Sequence, residues 1–230
     1  MSRMLTNLLV LALVALAVPA LAISPDVRIS QAYGGGGSGT AGPTFNQDYV
    51  EIFNASGATV DISNWTIEYA SSTGSWGSSA GNIFTFPVGT SIPACSYILV
   101  AFGTPSVGGG PLPYNDFTGL LAMSATGGKV ALFNAVNTNL ACGLELPGTL
   151  VDKLAYGTTA NCAEGTRIGA LSTTTAAFRN SGGMIDTDNN LADFTIGTPA
   201  PRYSGSVRNP DCLAVSSEDQ SWSAIKAIYR

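Results

Sequence analysis

Short apolar runs in strand period, separated by turn signals, constrain the fold of this sequence more than any other feature. In residues 27–30 and 65–69, apolar side chains alternate with polar ones. Residues 97–102 and 150–156 are almost continuously apolar. Alternation with a period of two places one set of side chains on one face of a strand. Because no helical period interrupts these runs, the pattern predicts an all-β sandwich or barrel.

The N-terminal segment, residues 1–22, predicts export. It contains Arg3, an apolar run over residues 8–18 and the small-residue ending at residues 20–22, which are the parts of a signal peptide. The apolar run is shorter than the roughly 20 residues of a membrane-spanning helix. We therefore expect cleavage after residue 22, a secreted protein that is extracellular or at the cell surface, and no integral membrane segment after cleavage.

The charge of the chain argues against nucleic acid as a partner. The sequence has 10 Lys and Arg against 15 Asp and Glu, and its net charge is −5. Its lysines, Lys129, Lys153 and Lys226, lie far apart. Nucleic acids and anionic lipids bind clustered positive charge. We therefore expect neither of them to be a partner.

The sequence contains no histidine. This excludes Ser-His-Asp and Cys-His catalysis and every His-ligated zinc, copper or iron site. A pair of carboxylates stays open, but no pattern brings Glu51, Glu68 and Glu164 together. Glu51 and Glu68 alternate with apolar neighbours, so we expect both to face solvent. The sequence predicts no enzymatic activity, no catalytic residues and no cofactor.

The four cysteines predict disulfide bonds in an exported chain, with three connectivities open. No two of them have the spacing of a zinc site. We favour Cys142–Cys162, because both flank the apolar run at residues 150–156. The loop-entropy model assigns this bond about 3 kcal/mol of stabilisation. Cys95 and Cys212 then pair by elimination, and the alternative is two free buried thiols.

Two glycine-rich stretches are candidate binding loops. They are residues 34–39, after the first predicted strand, and residues 108–110. Neither opens a helix or has the Lys-Ser/Thr ending of a phosphate-binding loop. We interpret both as flexible loops, which a rigid sandwich presents to a ligand.

The densest polar cluster lies near residue 188. Asp186, Asp188 and Asn190 have the D-x-D-x-N spacing that supplies alternate oxygen ligands to calcium. The EF-hand pattern fails, however, because no glycine stands at its sixth position and Gly197 replaces the glutamate at its twelfth. Asx residues also form turns without a metal. We favour a structural turn, with calcium as the alternative.

Five segments of the sequence resemble the lamin tail domain family. They are residues 48–54 (DYVEIFN), 60–67 (VDISNWTI), 97–100, 128–134 and 151–157. They follow the order of the family pattern, and the resemblance covers residues 26–203. It implies an immunoglobulin-like β-sandwich that occurs in exported bacterial proteins and serves binding or architecture. Trp65, in the second segment, is the expected core anchor between the sheets.

In bacterial members of this family the domain often accompanies a hydrolase or nuclease domain. This sequence leaves no room for such a domain, so the resemblance implies that any such enzyme would be a separate chain. The sequence also lacks the coiled-coil rod and basic targeting run of nuclear lamins. Nothing about filaments or the nucleus is therefore expected.

Residues 204–230 are predicted to form a linker and a C-terminal helical tail. Trp222, Ile225 and Tyr229 are spaced to lie on one face of a two-turn helix. A helix this short needs a surface to pack on. We favour a tail that docks on the sandwich. The alternative is a recognition tail, an address or surface-attachment signal read through that face.

Together these features predict an exported, non-enzymatic structural or binding module. Its ligand at the cell surface is expected to be a protein or a glycan, contacted through the glycine-rich loops or exposed aromatic side chains. One alternative is an accessory subunit that targets a separately encoded hydrolase or nuclease. Another is a calcium-stabilised adhesin.

Overall fold

The molecule is built from β-strands joined by long connections. A computed structural model describes residues 26–37, 42–138 and 140–213. The strands are β1 (Val27–Tyr33), β2 (Asp48–Asn54), β3 (Val60–Asp61), β4 (Thr66–Ala70), β5 (Ile83–Thr85), β6 (Ser91–Ile92), β7 (Tyr97–Phe102), β8 (Phe117–Gly119), β9 (Gly128–Phe133), β10 (Leu150–Tyr156), β11 (Ala176–Arg179) and β12 (Phe194–Gly197). A short helix, α1 (Asn190–Asp193), precedes β12. The predicted signal peptide and the tail residues Trp222, Ile225 and Tyr229 lie outside the described residues.

The strands form two large sheets and one small one. The first sheet has the order β12-β11-β1-β2-β7-β8, the second has the order β10-β9-β4-β5, and β3 pairs with β6. Among the described strands, every pairing is antiparallel except that of β7 with β8. The prediction of an all-β, immunoglobulin-like sandwich is therefore confirmed.

The main hydrophobic core lies between the two large sheets. Ile29, Ile52 and Val100 contribute to it from the first sheet. Leu132 and Leu154 contribute from the second sheet, and all five side chains are fully buried or nearly so. These residues belong to the apolar positions that alternate along the sequence, because every second side chain of a strand points toward the opposite sheet.

The two tryptophans of the described residues differ in their burial. Trp65, the expected core anchor, packs against the main core but is only partly buried. Trp76 is fully buried and packs with Phe133 on the outer face of the second sheet. Its indole nitrogen donates a hydrogen bond to Glu145 Oε1 at 2.8 Å. Trp65 therefore lies at the rim of the core, and Trp76 fills a separate, smaller core.

A segment near the C-terminus covers the outer face of the first sheet. Tyr203 packs against the buried side chains of Tyr49 and Leu99 on that face. Glu51, also on this face, is fully buried, so the prediction that it faces solvent is wrong. The backbone N–H of Arg202 donates to Glu51 Oε2 at 2.6 Å. The covering segment is distant in sequence, which is why the strand pattern did not indicate this burial.

The outer face of the second sheet is covered in the same way. Glu68 lies on this face and is fully buried, so the prediction that it faces solvent is also wrong. The backbone N–H of Asn137 donates to Glu68 Oε1 at 2.8 Å. Burial raises the pKa of Glu68 to about 7, although the hydrogen bonds from Asn137 and Thr66 favour its ionised form.

Two disulfide bonds hold these covering segments in place. Cys95 bonds to Cys212, and Cys142 bonds to Cys162. This is the pairing that the sequence favoured. The first bond joins the covering segment of the first sheet to the connection before β7. The second joins two connections near Trp76, with which Cys162 shares a buried cluster.

Candidate binding cleft

A cleft of about 450 Å³ opens at one end of the sandwich. Its walls come from the residues after β1, the first residue of β2, the residues after β7 and the segment before β9. The lining residues are Gly34, Gly35, Gly36, Gly37, Asp48, Phe102, Gly103, Thr104, Leu121, Ala122, Met123, Ala125 and Thr173. A volume of this size falls in the range of small-ligand sites, about 300–1,000 Å³.

The first glycine-rich stretch forms one wall of the cleft and packs tightly there. A Cβ atom on Gly34 would lie 2.5 Å from the carbonyl oxygen of Ser124, and one on Gly36 would overlap the backbone of Gln47. Only glycine allows the backbone to approach its neighbours this closely. Residues 34–36 therefore form a packed wall of the cleft, the glycine wall, within the stretch 34–39 that the sequence predicts to be a flexible loop.

The second glycine-rich stretch is connected to the first through Asn46. The N–H of Gly37 donates to Asn46 O at 3.3 Å, and the N–H of Asn46 donates to Gly110 O at 2.8 Å. Gly110 in turn donates to Thr44 O at 3.0 Å. The two predicted loops therefore flank the same segment, which leads directly into Asp48.

Asp48 places a buried carboxylate at the cleft. Its Oδ2 accepts a hydrogen bond from Met123 N at 2.8 Å. Its Oδ1 is buried and has no hydrogen-bond partner among the described residues. Burial raises the pKa of Asp48 to about 7, although the backbone N–H groups of Met123 and Gly36 favour its ionised form.

The chemistry of the cleft is that of a binding site with one polar anchor. Asp48 is the only ionisable side chain among the described residues that line it. Phe102, Leu121 and Met123 supply apolar surface beside this carboxylate. Such a site accepts a hydrogen bond from a hydroxyl or ammonium group and packs against an apolar part of the same ligand.

Nothing in the sequence singled out Asp48. It is the first residue of the segment DYVEIFN, which resembles the lamin tail domain, and it follows a glycine-rich stretch; neither feature points to a binding role for its side chain. The glutamates weighed as an acid–base pair have other neighbours. Glu51 and Glu68 lie on the outer faces of different sheets, and Glu164 follows β10. The structure therefore does not bring these three side chains together.

The residues predicted as calcium ligands have partners of different kinds. Asp186 Oδ1 accepts a hydrogen bond from Arg179 Nη1 at 3.1 Å. Asn190 Oδ1 accepts one from Ala155 N at 2.9 Å, which ties α1 to β10. The side chain of Asp188 is exposed. Binding of calcium by this loop stays a prediction.

A second exposed surface is aromatic. Tyr114 stacks on Tyr203 with ring centroids 4.6 Å apart, and Tyr114 is 61% exposed. Asp116 accepts a hydrogen bond from Ser204 N at 3.0 Å, which holds the two segments together. Tyrosine is enriched in binding interfaces, so this pair is a candidate for the exposed aromatic contacts expected from the sequence.

The comparison with protein families agrees with this architecture. The family model described as Lamin Tail Domain matches residues 22–158, more than half of the chain. The chain belongs to the lamin tail domain family. The match ends before β11 and β12, yet β11 pairs with β1 inside the first sheet. The lamin tail domain of this chain is therefore completed by strands outside the matched segment.

Two further findings accompany the family match. A comparison with curated proteins finds no match. Within residues 26–37, 42–138 and 140–213, none of the helices has the length and hydropathy of a membrane-spanning segment. The family is that of a β-sandwich interaction module.

Proposed function

We propose that this lamin tail domain protein is an exported, non-enzymatic binding module that holds a protein or glycan ligand in the cleft at Asp48. The observation that carries the proposal is the carboxyl group of Asp48, which is 6% exposed and is the ionisable group among the described residues that line the cleft. A ligand group that donates a hydrogen bond to this carboxyl would be held beside the apolar surface of the cleft. The two disulfide bonds support export, because such bonds persist in oxidising compartments.

Among the described residues that line the cleft, Asp48 has no second ionisable side chain beside it, which supports binding rather than acid–base catalysis. General acid–base chemistry needs two groups with different roles beside the substrate. Two other buried carboxylates, Glu51 and Asp152, are paired with arginines.

The location is tested by fractionating source cells and shaving them with protease, using an antibody against the protein. We expect the intact chain at the cell surface or in the medium. A version that ends at Ser221 tests whether the predicted tail acts as an address. Recovery of the intact chain only from the cell interior would contradict export.

The binding function is tested with the purified chain on an array of immobilised glycans and on intact source cells. Asp48→Asn keeps an acceptor for Met123 N but turns an amide NH₂ toward the cleft. We expect this variant to bind at least about tenfold more weakly, because hydrogen bonds to charged groups contribute about 1.5–3 kcal/mol. Asp61→Asn, an exposed aspartate elsewhere, is the matched control. Equal binding by Asp48→Asn and Asp61→Asn would exclude the cleft as the ligand-binding site.

A further inference from the structure

Lys129 is a lysine buried on the outer face of the second sheet. It lies on β9 and is 0% exposed. Its Nζ stands 5.0 Å from the centroid of the Trp76 ring, within the small core on this face. In the part of the chain that the structure describes, no carboxylate forms a salt bridge with it. Burial without such a partner disfavours the charged ammonium, and a desolvated neutral amine is a nucleophile.

The hydrogen-bond partner of this amine is the carboxamide of Asn161. Lys129 Nζ donates to Asn161 Oδ1. The backbone of Asn161 is held in place, because its N–H donates to Ser72 O at 2.8 Å and the next residue, Cys162, is bonded to Cys142. The strand that carries the amine is paired on both sides, with β4 and with β10. Fixed contact between two reactive groups raises their effective concentration, to about 10⁵–10⁸ M in well-oriented cases.

A carboxylate lies against the same indole ring. Trp76 Nε1 donates to Glu145 Oε1 at 2.8 Å, and this oxygen lies 3.4 Å from Cys162 Sγ. Burial lowers the pKa of Lys129, the charge of Glu145 raises it, and the charge of Lys153 lowers it. The site therefore combines an amine with a lowered pKa, a carboxamide in contact with it and a carboxylate able to transfer a proton.

We propose that Lys129 and Asn161 join in an intramolecular isopeptide bond, with Glu145 as the group that transfers the proton. The neutral Nζ attacks Cγ of Asn161, and a new C–N bond forms. Glu145 takes a proton from Nζ and delivers it to Nδ2, and the bond between Cγ and Nδ2 breaks. The products are a secondary amide and ammonia, so the reaction requires no oxidant and no further reactant.

The bond would close the outer core of the second sheet. It would join β9 to the connection after β10 directly over Trp76, beside the Cys142–Cys162 bond. The disulfide bond is opened by reducing agents, whereas an amide bond is not. This link would therefore hold the small core together in reducing as well as oxidising surroundings.

The test is intact-mass spectrometry of the purified full chain, followed by tandem mass spectrometry of a protease digest. After allowance for the two disulfide bonds, we expect the wild type to be lighter than its residues predict by one molecule of ammonia. After reduction and alkylation, one product of the digest should still contain the segments around Lys129 and Asn161. An unchanged intact mass, or separation of the two segments on reduction, would overturn the proposal without any variant.

Three variants assign the roles of the side chains. Lys129→Arg keeps a cation but removes the attacking amine, so it should retain the ammonia. Glu145→Gln should form the bond at least about tenfold more slowly, because acid–base groups contribute about 10²–10⁴-fold. Lys153→Arg, opposite Ala131 on the neighbouring strand, is the matched control and should lose ammonia as the wild type does. Loss of ammonia from Lys129→Arg, or an unchanged rate in Glu145→Gln, would contradict these roles.

Discussion

Glu51 Oε1 and Arg202 Nη2 lie 2.7 Å apart, although 151 residues separate them in sequence. Glu51 is fully buried on the outer face of the first sheet, and the guanidinium of Arg202 also stacks 3.8 Å above the ring of Tyr97. Burial raises the pKa of Glu51, while Arg202 and Ser30 favour its ionised form. This ion pair attaches the covering segment to the sheet at a second point, separate from the Cys95–Cys212 bond.

Removal of Arg202 should therefore destabilise the protein strongly. Arg202→Ala leaves Glu51 as a buried charge without a charged partner, which costs about 3–5 kcal/mol. Urea unfolding measures this loss. Arg208→Ala, at an exposed position of the same segment, should change stability by less than about 0.5 kcal/mol. A double variant with Glu51→Gln should recover part of the loss, and failure to recover any would contradict the role of the buried charge.

The two disulfide bonds should contribute unequally. Cys95–Cys212 closes a loop of 117 residues and Cys142–Cys162 closes one of 20. In the loop-entropy model these loops correspond to about 5 and about 3 kcal/mol. Paired Cys→Ser variants, compared by urea unfolding under non-reducing conditions, should show the larger loss for Cys95 and Cys212. An equal loss, or the reverse order, would mean that loop entropy does not dominate.

Asp48 should make stability fall as pH rises from about 4 to about 7. Its pKa in the folded protein is about 7, against 3.8 for the ordinary side chain, so the folded state holds the proton more tightly in this window. The full shift corresponds to about 4 kcal/mol at 1.36 kcal/mol per pKa unit. The difference in unfolding free energy between wild type and Asp48→Asn isolates this effect. A difference that does not vary with pH would contradict the raised pKa.

The glycine wall should tolerate no side chain at Gly36. A Cβ there would overlap the backbone of Gln47 and Asp48, so Gly36→Ala must move the wall and is expected to cost about 1–3 kcal/mol. Gly110→Ala is the control, because its Cβ would meet its nearest neighbour, Thr44 O, at 3.7 Å. Thermal unfolding and ligand binding both report the effect. Equal behaviour of the two variants would mean that the wall is loosely packed.

The fold could be predicted from the sequence because side chains buried between two sheets recur at every second residue of a strand. This period of two is visible in the order of apolar and polar residues. Ile52, Val100 and Leu132 follow that period, and the structure places all three in one core. The burial of Glu51 and Glu68 could not be predicted, since the segments that cover them are distant in sequence and have no period of their own. The cleft was missed for the same reason. Asp48 acquires its role from the contacts of Gly36 and Met123, which local sequence does not indicate.

The most direct test of the central claim is hydrogen–deuterium exchange of the full chain, with and without isolated envelopes of source cells. If the cleft holds the ligand, exchange slows in peptides that cover residues 34–37, 102–104 and 121–123. The same peptides in Asp48→Asn should exchange at the rate of the free protein. Slowed exchange only in peptides elsewhere, or identical protection in Asp48→Asn, would contradict the account and place the ligand on another surface.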